Sequence, residues 1–291
     1  MEPLLQWGLE LIRFIQQMEN PLLTNFFLAV SGLGGAIPFF LVLPALFWCA
    51  DYNLGLRVAV VCSISAISNS FLKEFFSQPR PFNLEAALGI GKAGGYGLPS
   101  GHAQGSLVLW GSIAHRVKKK WFWAMTASLL VLVGFSRIYL GVHFPTDVIA
   151  GWAVGLVLLW VYVMLQPGIE GWIAGRDLGI QTLLVLAVPP GLLLFHLSGV
   201  AVFQLGMLLG IGIGAIIKSC WLSFSARCTP GRALMRYGIG IAILIGFLGL
   251  LRGMYPPRET SGYLVMGFFH SAVNGLWISL GAPWLFRLLK L

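Results

Sequence analysis

Apolar residues run almost unbroken along this chain, and the short polar clusters that interrupt them mark out the elements. Nine apolar runs fall at about 35–50, 54–77, 100–117, 121–140, 146–166, 179–197, 200–222, 237–252 and 262–286. A bilayer crossing needs roughly 17 to 25 such residues, so each run predicts a transmembrane helix, the short ones being half-helices or running longer than drawn. Between Leu22 and Gly35, the stretch Leu22 to Val30 either extends the first run back past the Gly32-Leu33-Gly34-Gly35 break or forms a separate re-entrant piece. Nearer the N-terminus, Leu4, Leu11, Ile15 and Met18 recur at helical spacing, with Gln6, Glu10, Arg13 and Gln17 on the other face. That pattern predicts an amphipathic helix lying in the membrane interface. The expected fold is all-α: a polytopic membrane helix bundle of about nine transmembrane helices with an N-terminal interfacial helix.

Composition agrees with this pattern. Of 291 residues, 57% are hydrophobic and 10% charged, where ordinary soluble domains carry roughly 25% charged residues. No stretch is left over for a separate soluble domain. The N-terminus is acidic and lacks a basic n-region, so it does not read as a cleavable signal peptide. The net charge of +9 is loop charge, not a contiguous basic patch, which argues against a nucleic-acid partner. Sorting the loops by side puts twelve Lys and Arg on one face, including Lys118 to Lys120, and seven on the other: Arg13, Lys73, Arg80, Lys92, Arg137, Arg252 and Arg258. The richer face is expected to be cytoplasmic together with the C-terminus; the other face, with the N-terminus, is expected to be extracytoplasmic or luminal. The four cysteines show no metal spacing, and no disulfide is expected.

Three polar clusters lie on the poorer side: KEFFSQPRP from Lys73, LPSGHAQGS from Leu98 and SRIYLGVHFPTD from Ser136. Ionisable groups at membrane depth are costly and usually mark function. Lys73, Arg80 and Arg137 supply three cations rich in N–H donors, which suit a group with several anionic oxygens, phosphate above all. Ser100 and Gly101 stand where a helix would begin, so a hydroxyl and a backbone N–H can approach the same oxygens. His143 and Asp147 are four apart with Pro145 between them. The carboxylate can therefore orient one imidazole nitrogen and leave the other free to attack phosphorus. His102, from another loop, can protonate the departing alkoxide and later take a proton from water. Hydrolysis through a phosphohistidine needs this set and neither metal nor other cofactor.

Each piece alone has a plainer reading. Lys73 and Arg80 can snorkel to the interface, Ser100 can be only a helix cap, Arg137 and Asp147 can form a buried ion pair, and either histidine can be a hydrogen-bonded loop residue. A metal held by the two histidines and Asp147 would be repelled by the three cations. The arrival of all three clusters on one side outweighs these separate readings. Two rival functions use the same residues: a phosphotransferase, in which a sugar or lipid alcohol intercepts the phosphohistidine, and a lipid transporter or scramblase that only binds headgroups.

With these residues in place, the sequence resembles the type 2 phosphatidic acid phosphatase family of membrane lipid phosphatases. The family's three-part signature takes the form Lys73…Arg80-Pro81, Pro99-Ser100-Gly101-His102 and Ser136-Arg137…His143…Asp147, without a departure. The resemblance implies metal-independent dephosphorylation of a lipid phosphate, monoester or diphosphate, on the extracytoplasmic or luminal face. It implies His143 as nucleophile, Asp147 as its orienting partner, His102 as general acid, and Lys73, Arg80, Ser100, Gly101 and Arg137 as the phosphate cradle. The expected division is a catalytic core over residues 1–166, with its N-terminal interfacial helix, followed by additional helices of the same membrane domain over 167–291. That extended second half is similar in layout to sphingosine-1-phosphate phosphatases. Within it, Arg252, Arg258 and Glu259 are candidates for shaping a headgroup pocket; an ordinary polar loop is the alternative. The expected partners are the lipid phosphate substrate and the surrounding membrane lipids.

Overall fold

The computed structural model describes residues 3–291, apart from the side chain of Arg252. Every regular element among them is helical: α1 (Pro3–Gln16), α2 (Pro21–Gly32), α3 (Ala36–Ala45), α4 (Tyr52–Phe76), α5 (Pro81–Leu84), α6 (Gly101–Val117), α7 (Lys120–Tyr139), α8 (Pro145–Ala174), α9 (Leu178–Leu192), α10 (Gly199–Trp221), α11 (Pro230–Arg252), α12 (Ser261–Leu276) and α13 (Ala282–Leu288). The boundaries follow local chemistry. The Asn20 side chain accepts from the Leu23 N–H and Pro21 opens α2, while Asp177 and Ser198 cap α9 and α10 in the same way. Lys118, in the left-handed region at φ +57°, closes α6.

Among the described residues, six helical stretches are long and apolar enough to cross a membrane: Tyr52–Leu84, Lys120–Tyr139, Pro145–Ala174, Gly199–Trp221, Pro230–Leu251 and Ser261–Leu288. A seventh is added if Pro21–Gly32 and Ala36–Ala50, bent by 49°, count as one. The expected number was nine. Two of the expected runs, 100–117 and 179–197, do form helices, but α6 has 17 residues and α9 has 15. At 1.5 Å per residue both fall short of a hydrocarbon core of about 30 Å.

The chain forms two compact units, one of residues up to Phe39 with Ile64–Val163, the other of Phe40–Ser63 with Met164–Leu291. In the first, α1 buries Gly8, Leu9, Ile12 and Ile15, while Leu4 and Met18 of the expected apolar face stay more than half exposed. Tertiary packing selects the face: Leu9 and Ile12 form a core with Leu88 and Phe144, and Ile15 joins Phe27, Tyr139, Leu140 and Val142. Gln16 then donates to the carbonyls of Leu88 (3.0 Å) and Tyr139 (2.9 Å), tying α1 to the ends of two loops at once. Gly141, at φ +66°, faces the Leu88 carbonyl, where a side chain would collide. On α8, Gly151 and Gly155 lie against the backbone of Ser100 and Gln104 at the start of α6, a close approach that larger residues would prevent.

In the second unit, Gly206, Gly210 and Gly214 of α10 lie against Phe268, Ser271, Ala272 and Ser279, so two helix backbones meet with almost no side chain between them. Gly246 of α11, by contrast, has open space around it. Gly210→Ala must push its methyl into the Ala272 carbonyl and is expected to destabilise the protein by about 1–3 kcal/mol. Gly246→Ala should be neutral or slightly stabilising. Thermal unfolding of the two variants in detergent checks the contrast.

Candidate active site

All the residues of the site belong to the first unit. Lys73 sits in the last turn of α4, and Ser77, in the left-handed region at φ +48°, turns the chain sharply so that Gln78, Pro79 and Arg80 leave the helix axis. Arg80 caps α5, where Pro81 takes the first helical position. The loop from Glu85 to Ser100 then leads into α6, and the loop from Leu140 to Phe144 leads into α8.

Arg80 is buried, with 4% exposure. Nε donates to the Gly95 carbonyl (2.8 Å), Nη2 to Gly94 (2.8 Å) and Nη1 to Val142 (2.7 Å). Nη1 also faces Nε2 of His143 at 3.1 Å. Because that guanidinium nitrogen only donates, Nε2 is the acceptor and the imidazole proton sits on Nδ1. Nδ1 in turn faces Oδ2 of Asp147 at 3.1 Å. The same oxygen accepts from the Phe144 backbone N–H (2.9 Å), while Oδ1 accepts from Nε2 of Gln78 (2.7 Å). Burial, followed by the charges of Arg80, Lys73, Arg137 and His102, holds the His143 imidazole well below its ordinary range, so it stays neutral.

Lys73 donates to the carbonyls of Tyr96 (2.6 Å) and Gly97 (3.1 Å). Arg137 donates from Nη1 to Ser31, and its buried Nε has no partner among the described residues. Ser100 is wholly buried; its N–H donates to the Asp147 carbonyl (2.9 Å) and its hydroxyl has no partner among the described residues. His102 lies in the first turn of α6 beneath the Gly32-to-Gly35 break, where a Cβ on Gly35 would come within 3.3 Å of the imidazole Nε2. Lys73, Arg80, Gly101, His102, Arg137 and His143 all line one cavity of about 430 Å³.

Asp147 therefore bonds to His143, Gln78 and Phe144, not to Arg137, and the buried ion pair considered from the sequence does not form. Among the described residues no three His, Cys, Asp or Glu side chains converge as metal ligands would. Arg258 and Glu259 belong to the second unit, where Arg258 lines a different cavity with Tyr255, Tyr263 and His270. The side chain of Arg252 lies outside the described residues. Sequence reasoning missed Ser31 on Arg137 and Gln78 on Asp147. It also missed the buried brace behind Gly101, in which Asn69 donates to Gln104 (2.8 Å) and Gln104 to Ser65 (3.0 Å). Gln78 and Gln104 left a trace, as polar residues inside the first and second clusters.

The family profile described as PAP2 superfamily matches residues 54–169, and that described as PAP2 superfamily phosphatase, transmembrane extension, matches residues 202–291. The lipid A 4'-phosphatase of Porphyromonas gingivalis is 33% identical over 174 residues, covering 54% of this chain and 72% of its own length. A Dictyostelium discoideum protein named "Probable sphingosine-1-phosphate phosphatase" is 27% identical, over 74% of this chain and 57% of its own. Glucose-6-phosphatase 3 of Bos taurus is 26% identical, over 98% of this chain and 96% of its own. The chain spans about half the length of several of the curated relatives that it matches. A crystal structure of a transmembrane PAP2 type phosphatidylglycerolphosphate phosphatase from Bacillus subtilis shares the fold, with a TM-score of 0.51 at 23% identity over 58% of this chain and 89% of that one.

The neutral Nδ1–H form of His143 is expected to persist as pH falls through about 6.5, where an ordinary imidazole is half protonated. Nitrogen-15 shifts of labelled imidazoles, assigned with His143→Ala, test this; a His143 titration centred near the ordinary value would contradict the buried, cation-flanked packing of the ring.

Proposed function

Because the chain belongs to the PAP2 superfamily, we propose that this integral membrane protein is a metal-independent phosphatase that hydrolyses a lipid phosphomonoester or diphosphate through a phosphohistidine intermediate. The observation that carries the reading is the convergence of three cations and two histidines on one cavity, with His143 already oriented by Asp147. Lys73, Arg80 and Arg137 bind the phosphoryl oxygens; the unpartnered Nε of Arg137 and hydroxyl of Ser100 are donors that an anionic oxygen would satisfy. An oxygen taking the Arg80 N–H that now faces Nε2 of His143 frees that lone pair for phosphorus.

Burial and the charges of Arg137, Arg80 and Lys73 hold His102 below its ordinary range. The negative charge of the bound phosphate offsets those cations, so His102 enters the step protonated, and it gives its proton to the leaving oxygen as the Nε2–P bond forms and the bond from phosphorus to that oxygen breaks. Asp147 stabilises the positive charge that develops on the His143 ring through its Nδ1–H. His102 then takes a proton from water, whose oxygen attacks phosphorus, breaks the N–P bond and releases phosphate.

The site lies on the extracytoplasmic or luminal side, with α1 in the interface beside it; α6 and α9, short for a straight crossing, cross where the bilayer thins around them and complete about nine crossings. Residues 1–166 form the catalytic core and 167–291 an extension of the same membrane domain. The nearly full-length likeness to a glucose-6-phosphatase supports a second reading, a water-soluble sugar phosphate as substrate. The test is phosphate release by the detergent-purified full chain in EDTA from phosphatidate, sphingosine-1-phosphate, a polyprenyl diphosphate and glucose-6-phosphate, beside His143→Ala. We expect EDTA-resistant release from at least one lipid and a loss of at least about 1000-fold in the variant. Release from the sugar phosphate alone would favour the second reading, and release unaffected by His143→Ala would overturn the mechanism.

A further inference from the structure

The carboxylate of Asp147 has two oxygens, and the proposed reaction uses one of them. Oδ2 takes the imidazole Nδ1–H and the Phe144 N–H; Oδ1 takes the Gln78 amide at 2.7 Å, the shortest of the three bonds. A carboxylate only accepts, so the amide nitrogen and not the amide oxygen must face it. Gln78 is itself held in place. Ser77 at φ +48° directs it away from α4, and its own carbonyl accepts the Gly97 N–H at 2.8 Å. Gly97 lies so close that a Cβ there would come within 3.0 Å of Asp147 Oδ2 and 3.3 Å of the Pro79 carbonyl. The Gly97 carbonyl accepts from Lys73 as well, so Gln78 shares one local frame with a cation of the cradle.

We infer that Gln78 is a positioning residue for this reaction: its amide clamps Asp147 from the oxygen that His143 does not use, and so fixes the carboxylate plane and the line of attack of Nε2. This deepens the phosphohistidine reading and rests on it. Without the amide, Asp147 keeps its bonds to His143 and Phe144 on a single oxygen and can pivot about it. The imidazole follows, and a misplacement on the order of 1 Å can cost about 100-fold in rate.

Charge separates this role from ordinary packing. Gln78→Met removes the donor at every pH. Gln78→Glu restores a donor only while its carboxyl is protonated, since two carboxylates at hydrogen-bond distance cannot both ionise without cost. The shared proton then returns the pair to the single negative charge of the natural site. The other titratable groups around the pair are Lys73 and Arg80 on one side and His143, Arg137 and His102 around the imidazole. The cations favour the ionised pair, which moves the recovery to lower pH without reversing it.

The experiment measures kcat and KM for phosphate release, in mixed micelles, from whichever of phosphatidate, sphingosine-1-phosphate and the polyprenyl diphosphate wild type hydrolyses fastest, by the full chain carrying Gln78→Asn, Gln78→Met or Gln78→Glu. Each variant is expressed as a ratio to wild type between about pH 5 and 8, which cancels the ionisation of the substrate itself. The expected Gln78→Met ratio in kcat is about one tenth or lower at every pH with KM changed less than about twofold. Gln78→Asn should fall between that and wild type. The Gln78→Glu ratio should start as low as that of Gln78→Met at pH 8 and climb toward acid. A flat Gln78→Glu ratio, or Gln78→Met at wild-type kcat, would overturn the inference. Size exclusion and thermal unfolding identify a variant that has not folded, and the remaining pair then decides. If wild type shows no release that depends on His143, the catalytic reading fails and the inference with it; if wild type releases phosphate and only the Gln78 series misbehaves, the inference alone fails.

Discussion

A guanidinium taken out of water must be given acceptors for its five N–H donors, and meeting that demand at Arg80 organises the cradle. The acceptors are carbonyls of Gly94 and Gly95 from one loop and Val142 from another. Gly94, Gly95 and Val142 all lie outside helices and strands, so each loop is shaped around the cation as much as the cation is shaped by it. The same side chain meets Nε2 of His143, and this contact, with Asp147 on the other ring nitrogen, decides where the imidazole proton resides. A binding residue thus also sets the tautomer of the group that attacks phosphorus.

Packing around the loops serves this arrangement. The close seat of Gly151 and Gly155 against the start of α6 lets the Ser100 N–H reach the Asp147 carbonyl, so the first turns of α6 and α8 are joined directly at the site. On the other side, Leu9 and Ile12 of α1 pack on Leu88 and on Phe144, next to His143. The pair of Arg13 with Glu85 closes at 2.5 Å on the exposed surface. An ion pair in that setting contributes little to stability, but the arginine holds the Glu85 carboxyl below its usual range. It places a fixed contact between α1 and the start of the loop that ends at Ser100.

Much of this was legible in the sequence. Apolar run length gave helices at all nine expected positions, because in a chain this apolar each backbone N–H has to bond within its own segment. The number of crossings was less legible, since the ends of α6 and α9 are set by capping and turn geometry that hydropathy does not encode. The face that α1 buries against the protein was not legible for a related reason: Leu9 and Ile12 are selected by the positions of Leu88 and Phe144, far away in sequence. The signature residues were readable because their chemistry is unusual for a membrane chain. Ser31 was not, since a serine near a glycine break carries no sign of its distant partner, and Gln104, although inside the second polar cluster, carries no sign that it meets Asn69 and Ser65.

The central claim is that phosphorus passes through His143 on its way to water, and the configuration at phosphorus tests it most directly. With a substrate whose phosphoryl group is made chiral by oxygen isotopes and sulfur, two in-line displacements, first by His143 and then by water, must return the starting configuration. Retention is the predicted result. Inversion would mean that water attacks the substrate directly and that the imidazole only assists, which would contradict a covalent intermediate on His143.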